Sequence, residues 1–67
     1  MKPIDARKLK MLEDELGSMT SDLALDQAIK AEQTAKDCGA FDPAFEYMKM
    51  QQFKLENFAY LLAMAGR

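Results

Sequence analysis

The sequence predicts an all-α fold: an antiparallel helical hairpin with either a kinked extension or a separate short helix on its N-terminal side. Three observations predict it. Alanine, leucine, lysine, glutamate, glutamine and methionine dominate the 67 residues, and all are good helix formers. Apolar residues recur at spacings of three and four over most of the chain, which is the helical period. Only one strong break interrupts that pattern, CGAFDP at residues 38–43, and so short a connection joins antiparallel neighbours.

A first helix is expected over about residues 4–17. Leu9, Leu12, Leu16, Met19 and Leu23 are spaced 3, 4, 3 and 4 apart, one apolar stripe on one face. Continued in register, the stripe meets Asp26, Lys30, Gln33 and Asp37, all polar. A second stripe opens one residue over, through Ala24, Ala28, Ala31, Ala35 and Cys38. Within one helical frame the apolar face has therefore turned by about 100°. Gly17, Ser18, Thr20, Ser21 and Asp22 occupy the transition, residue types that break or cap helices. Two outcomes satisfy this pattern, a bent long helix or a break followed by a second helix over about residues 21–38.

The last helix is expected from Pro43 to about Ala65. Gly39 suits the left-handed position just beyond a helix end. Asp42 as N-cap followed by Pro43 at the first helical position is a start signal. At 1.5 Å per residue this helix is roughly 34 Å long. Its residues Tyr47, Met48, Leu55, Phe58 and Leu62 fall within an arc of about 100°. These bulky side chains match the small ones of the alanine stripe, and large facing small fills the volume between two helices. This face is therefore predicted to pack on Ala24, Ala28, Ala31 and Ala35, with Leu25 and Ile29 at the border.

Met50, Phe53, Tyr60, Leu61 and Met64 lie on a second arc of the same helix, and a clearly polar strip is confined to Lys49, Gln52, Glu56 and a few neighbours. A helix apolar on nearly all sides is expected to be buried on nearly all sides. One partner helix cannot do this, so the second arc is expected to be covered by the N-terminal stripe, by a second copy, or by another protein. A chain of this length buries only about 60% of its unfolded surface, and small scaffolds commonly lean on a disulfide, a metal or another subunit. Cys38 is the single cysteine and histidine is absent, which excludes an internal disulfide and a zinc site of four nitrogen or sulfur ligands within one chain. Association is what remains, and five methionines beyond Met1 suit an adaptable binding surface.

Other classes of function find little support. Without histidine the commonest general base is missing, and Cys38 has no imidazole to activate it. No phosphate-cradling glycine loop or dinucleotide fingerprint is present, so neither an enzyme nor a cofactor is expected. Glu13, Asp14 and Glu15 sit beside Lys8 and Lys10, and the pairs Asp26/Lys30 and Glu32/Lys36 have favourable helical spacing; these read as a solvated face. Arg7, Lys8 and Lys10 form the single basic cluster and the net charge is −2, the opposite of a nucleic-acid footprint. The apolar tail is far short of the roughly 18–20 residues of a bilayer span. MKPIDARKLK has no apolar core of a signal peptide, and a lone cysteine fits a reducing compartment, so a cytoplasmic location is expected.

Asp42-Pro43, then Tyr47, Gln51 and Gln52, Leu55-Glu56, the aliphatic run from Ala59 to Leu62, and Ala65-Gly66 together resemble the small co-chaperones of bacterial type III secretion needles, the so-called E component. The similarity covers residues 42–66; the same helix–Asp-Pro–helix layout also resembles the needle subunits themselves. The resemblance implies a cytoplasmic helical hairpin that binds a larger helical-repeat chaperone, the pair keeping the needle subunit soluble until export. The first half of the chain offers no matching motif, so no binding residue is carried over to it. The partner surface expected from the residues themselves is Met50, Phe53, Tyr60, Leu61 and Met64. The competing expectation is a self-associating structural or regulatory helical protein, a homodimeric bundle, and behind it a DNA-binding regulator.

Overall fold

A computed structural model describes residues 1–67 as three helices without strands: α1 (Pro3–Leu16), α2 (Ser21–Cys38) and α3 (Pro43–Met64). Each helix ends within one residue of the bounds expected from the sequence. The signals that set the ends are local. Pro3 opens α1 with its φ already near the helical value, and the Gly17 N–H closes it by donating to the Glu13 carbonyl at 2.8 Å. Thr20 caps α2, its hydroxyl accepting from the Leu23 N–H at 3.2 Å. Asp42 caps α3, its carboxylate accepting from the Ala44 N–H at 2.8 Å.

The junction between α1 and α2 is a break. Gly17 adopts φ 92° and ψ 171°, a region of backbone space essentially restricted to glycine, and Thr20 begins a new helix three residues later. Stop and start signals so close together leave no continuous hydrogen-bonded turn. The leucine stripe breaks there too: Leu9 and Leu12 are buried, Leu16 and Met19 pack against the same cluster, but Leu23 already belongs to α2 and is exposed.

α2 and α3 form the antiparallel hairpin. The Ser21 N–H at the start of α2 donates to the Arg67 carbonyl just past the end of α3, at 3.0 Å. Arg67 is brought there by the turn that ends α3: Gly66, at φ 76°, donates to Ala63, and Arg67 donates to Leu62, the paired bonds of a glycine-terminated helix. Ala24, Ala28, Ala31 and Ala35 are 0–5% exposed along the α2 side of the interface. Leu55, Phe58, Ala59 and Leu62 fill the α3 side, with Phe58 and Leu62 fully buried. α1 lies along α3, contributing Leu9 and Leu12 to the cluster of Phe58, Ala59, Leu61 and Leu62 that also includes Ala24 of α2. The molecule measures 39 × 19 × 16 Å, a rod whose length is set by α3.

Candidate partner-binding surface

The inward side of α3 is defined by Gln52, Leu55, Phe58, Ala59, Leu61 and Leu62. At 100° per residue, Met50, Phe53, Tyr60 and Met64 fall within an arc of about 80° on the opposite side. They are exposed by 66, 56, 64 and 42%. Four of the five residues assigned to the outer arc from sequence are therefore presented to solvent as one stripe. The Lys49 ammonium lies 5.2 Å from the centroid of the Phe53 ring, within cation–π range, and fixes one edge of the stripe as polar. On the other hairpin helix Leu25 and Ile29, one turn apart, are about half exposed. Leu25, Ala59, Tyr60 and Ala63 line a shallow depression between α2 and α3, with Asp22 and Glu56 at its margin. The apolar surface thus crosses from α3 onto α2.

Leu61, the fifth residue of the outer arc, is 2% exposed and is a correction to the sequence reading. It lies on the flank of α3 that α1 covers, in the cluster with Leu9 and Leu12. An arc drawn on one isolated helix has no means of registering α1. The inner arc needs a correction at its other end. Leu55, Phe58 and Leu62 are buried, but Tyr47 is 61% exposed and Met48 half-buried. Near the loop end, α3 faces α2 alone, and α1 does not extend over the seam between them. Tyr47, Met48, Gln51 and Leu55 there line an open groove with Ala31 and Thr34.

Gln52 is the residue that the sequence reading placed wrongly on the polar strip. It is 6% exposed and ties the two helices together. Its amide donates to Glu56 at 2.9 Å within α3 and to Glu32 of α2 at 3.3 Å, and its carbonyl accepts from Lys49 at 3.1 Å. Glu32 in turn pairs with Lys36 at 3.1 Å. A buried amide with all its bonds made resists sliding of one helix along the other. The sequence signal for it was weak but present: Gln52 lies about 60° from Leu55 and 20° from Ala59 on the wheel, inside the buried arc.

No family model, curated protein or solved structure matches this chain. Function therefore rests on the chemistry of the surfaces themselves. No group of three or more histidine, cysteine or acidic side chains is arranged to hold a metal ion, and no helix is long and apolar enough to cross a membrane. The apolar stripe of Met50, Phe53, Tyr60 and Met64 is the surface feature that calls for a partner.

Proposed function

We propose that this protein is a protein–protein interaction module, a small cytoplasmic co-chaperone or assembly factor. The observation that carries the reading is the outward stripe of Met50, Phe53, Tyr60 and Met64, which lies outside the core that the three helices share. In the concrete form given by the resemblance of residues 42–66, the partner is a larger helical-repeat chaperone, and the pair holds a needle subunit before export. Energetics set the size of the partner's footprint. Burying a large apolar side chain completely contributes about 1.5–3 kcal/mol, and these four are already about half covered. Covering them yields roughly 3–6 kcal/mol, at or below the lower end of the about 4–15 kcal/mol that association costs. A partner must therefore also cover Leu25 and Ile29, which calls for a concave surface reaching across both hairpin helices. Helical repeats offer such a surface.

The test is affinity purification from native cells through an N-terminal tag, comparing the native chain with a Phe53→Glu, Tyr60→Glu double variant. A helical-repeat protein, with a needle-like subunit, should co-elute stoichiometrically with the native chain and be lost with the variant, whose helical content stays native. A self-associated species with no second chain, itself lost in the double variant, would overturn the co-chaperone reading and leave the stripe as a homodimer contact.

A further inference from the structure

α1 is held unlike the other two helices. Its backbone comes close to that of α3 and not to that of α2, although it is joined to α2 by only the four residues Gly17–Thr20. Its contact has a definite chemical form. Leu9 and Leu12 make an apolar ridge that meets Phe58, Leu61 and Leu62. Beside the ridge, two carboxylates face two cations across the seam: Glu15 pairs with Lys54 and Glu13 with Arg67. An acidic-edged leucine ridge thus fits a basic-edged apolar floor. Every copy of the chain carries both halves of this match.

The connection permits the alternative. Gly17, Ser18, Met19 and Thr20 include no proline, so nothing in them forbids a helical conformation. α2 begins where α3 ends, as the Ser21–Arg67 hydrogen bond records. If residues 17–20 turned helical, α1 would continue α2 in a straight line past the end of its own α3. That rod, residues 3–38, would be about 54 Å long. Its leucine ridge would be beyond reach of its own floor but free to enter that of a second copy.

We propose that α1 is an exchangeable arm, docking on its own α3 in the monomer and on the α3 of a second copy in a reciprocal, two-fold dimer. The leucine ridge with its acidic edge and the apolar floor with its basic edge are the same in both states, the leucines holding the arm and the ion pairs selecting which helix it meets. What exchange costs lies at the hinge, where the Met19 packing, the Thr20 cap and the Ser21–Arg67 hydrogen bond give way to helical bonds. Such exchange of identical elements is a low-cost route to dimers. The stripe of Met50, Phe53, Tyr60 and Met64 takes no part, so the arm exchanges whether or not that stripe binds another protein.

Two variants test the pairing directly. One carries Lys54→Glu and Arg67→Glu, the other Glu13→Lys and Glu15→Lys. Alone, each sets like charges against each other, within one chain or between two of its own copies. Mixed, each arm finds an oppositely charged floor on the other variant. Sedimentation of the mixture should show a one-to-one heterodimer exceeding either homodimer. Gly17→Ala in the otherwise native chain supplies a second measurement, because alanine is strained at φ +92° and favoured over glycine in a helix. With two hinges per dimer, it should tighten dimerisation roughly tenfold or more, and Leu9→Ala with Leu12→Ala added to it should abolish that dimer. The inference is overturned if native and Gly17→Ala chains stay monomeric at every attainable concentration, or if the charge variants mix without preference. It is equally overturned if the Gly17→Ala dimer survives removal of Leu9 and Leu12.

Discussion

At the scale of single residues, glycine and alanine carry more of this fold than the aromatics do. Gly39 ends α2 at φ 80° and ψ 155°, backbone space essentially closed to side-chain-bearing residues. Gly39→Ala is expected to cost about 1–3 kcal/mol, read as a lower urea midpoint with an unchanged slope. The alanines of α2 divide by what lies opposite. Ala28 is 2% exposed in the closed part of the interface, whereas Ala31 borders the open groove with Tyr47 and Met48. Ala28→Leu should destabilise by about 1–3 kcal/mol through overpacking. Ala31→Leu should cost clearly less, because its side chain can grow into the groove. Equal losses of melting temperature in the two variants would show that the groove is closed in solution. These alanine positions were legible from spacing alone, since a column of small residues has few uses besides close helix contact. The exposure of Tyr47 was not, because it depends on where a third helix stops.

At the scale of elements, the helix ends follow from short-range chemistry and the docking of the helices does not. Thr20 and Asp42 act on N–H groups two or three residues away, so the sequence around each cap contains all the information needed. α1 is the element most weakly tied, resting on Leu9 and Leu12 and two partly exposed ion pairs. Exposed pairs contribute little, about 0–1 kcal/mol, so the leucines decide. Leu12→Ala should therefore remove about 2–5 kcal/mol from α1 docking without opening the hairpin. Amide hydrogen exchange checks this: protection in α1 should fall steeply while that of α2 and α3 changes little, since weakly packed elements open as separate units. Uniform loss across all three helices would mean that α1 and the hairpin unfold together.

At the scale of the whole molecule, the core is small and many large apolar side chains lie outside it. Twelve of 67 residues are buried, five of them alanines, while Phe41, Tyr47, Met50, Phe53 and Tyr60 are each more than half exposed. An exposed stripe of this kind marks an interaction site or an aggregation liability. Because the stripe lies off the core, Phe53→Glu with Tyr60→Glu should move stability by no more than about 0.5 kcal/mol per site while raising the solubility of the isolated chain. A large drop in melting temperature would place these rings in a self-associated core instead. Any partner that binds only the folded form would raise the melting temperature in proportion to its concentration over its dissociation constant.

The sequence by itself determined the helices, their ends, the alanine face of α2 and the presence of more apolar surface on α3 than one neighbour can cover. Each of these depends on residues a few positions apart, within reach of a single hydrogen bond or a single helical turn. The structure decided between a bend and a break at residues 17–20, and tertiary packing alone decided that α1 lies on α3, that Leu61 is covered while Tyr47 is open, and that Gln52 bridges two helices. These outcomes depend on which flank of α3 the leucine ridge of α1 occupies. Two helices joined by a flexible four-residue connection can meet in several ways, and only the packing of distant side chains selects among them.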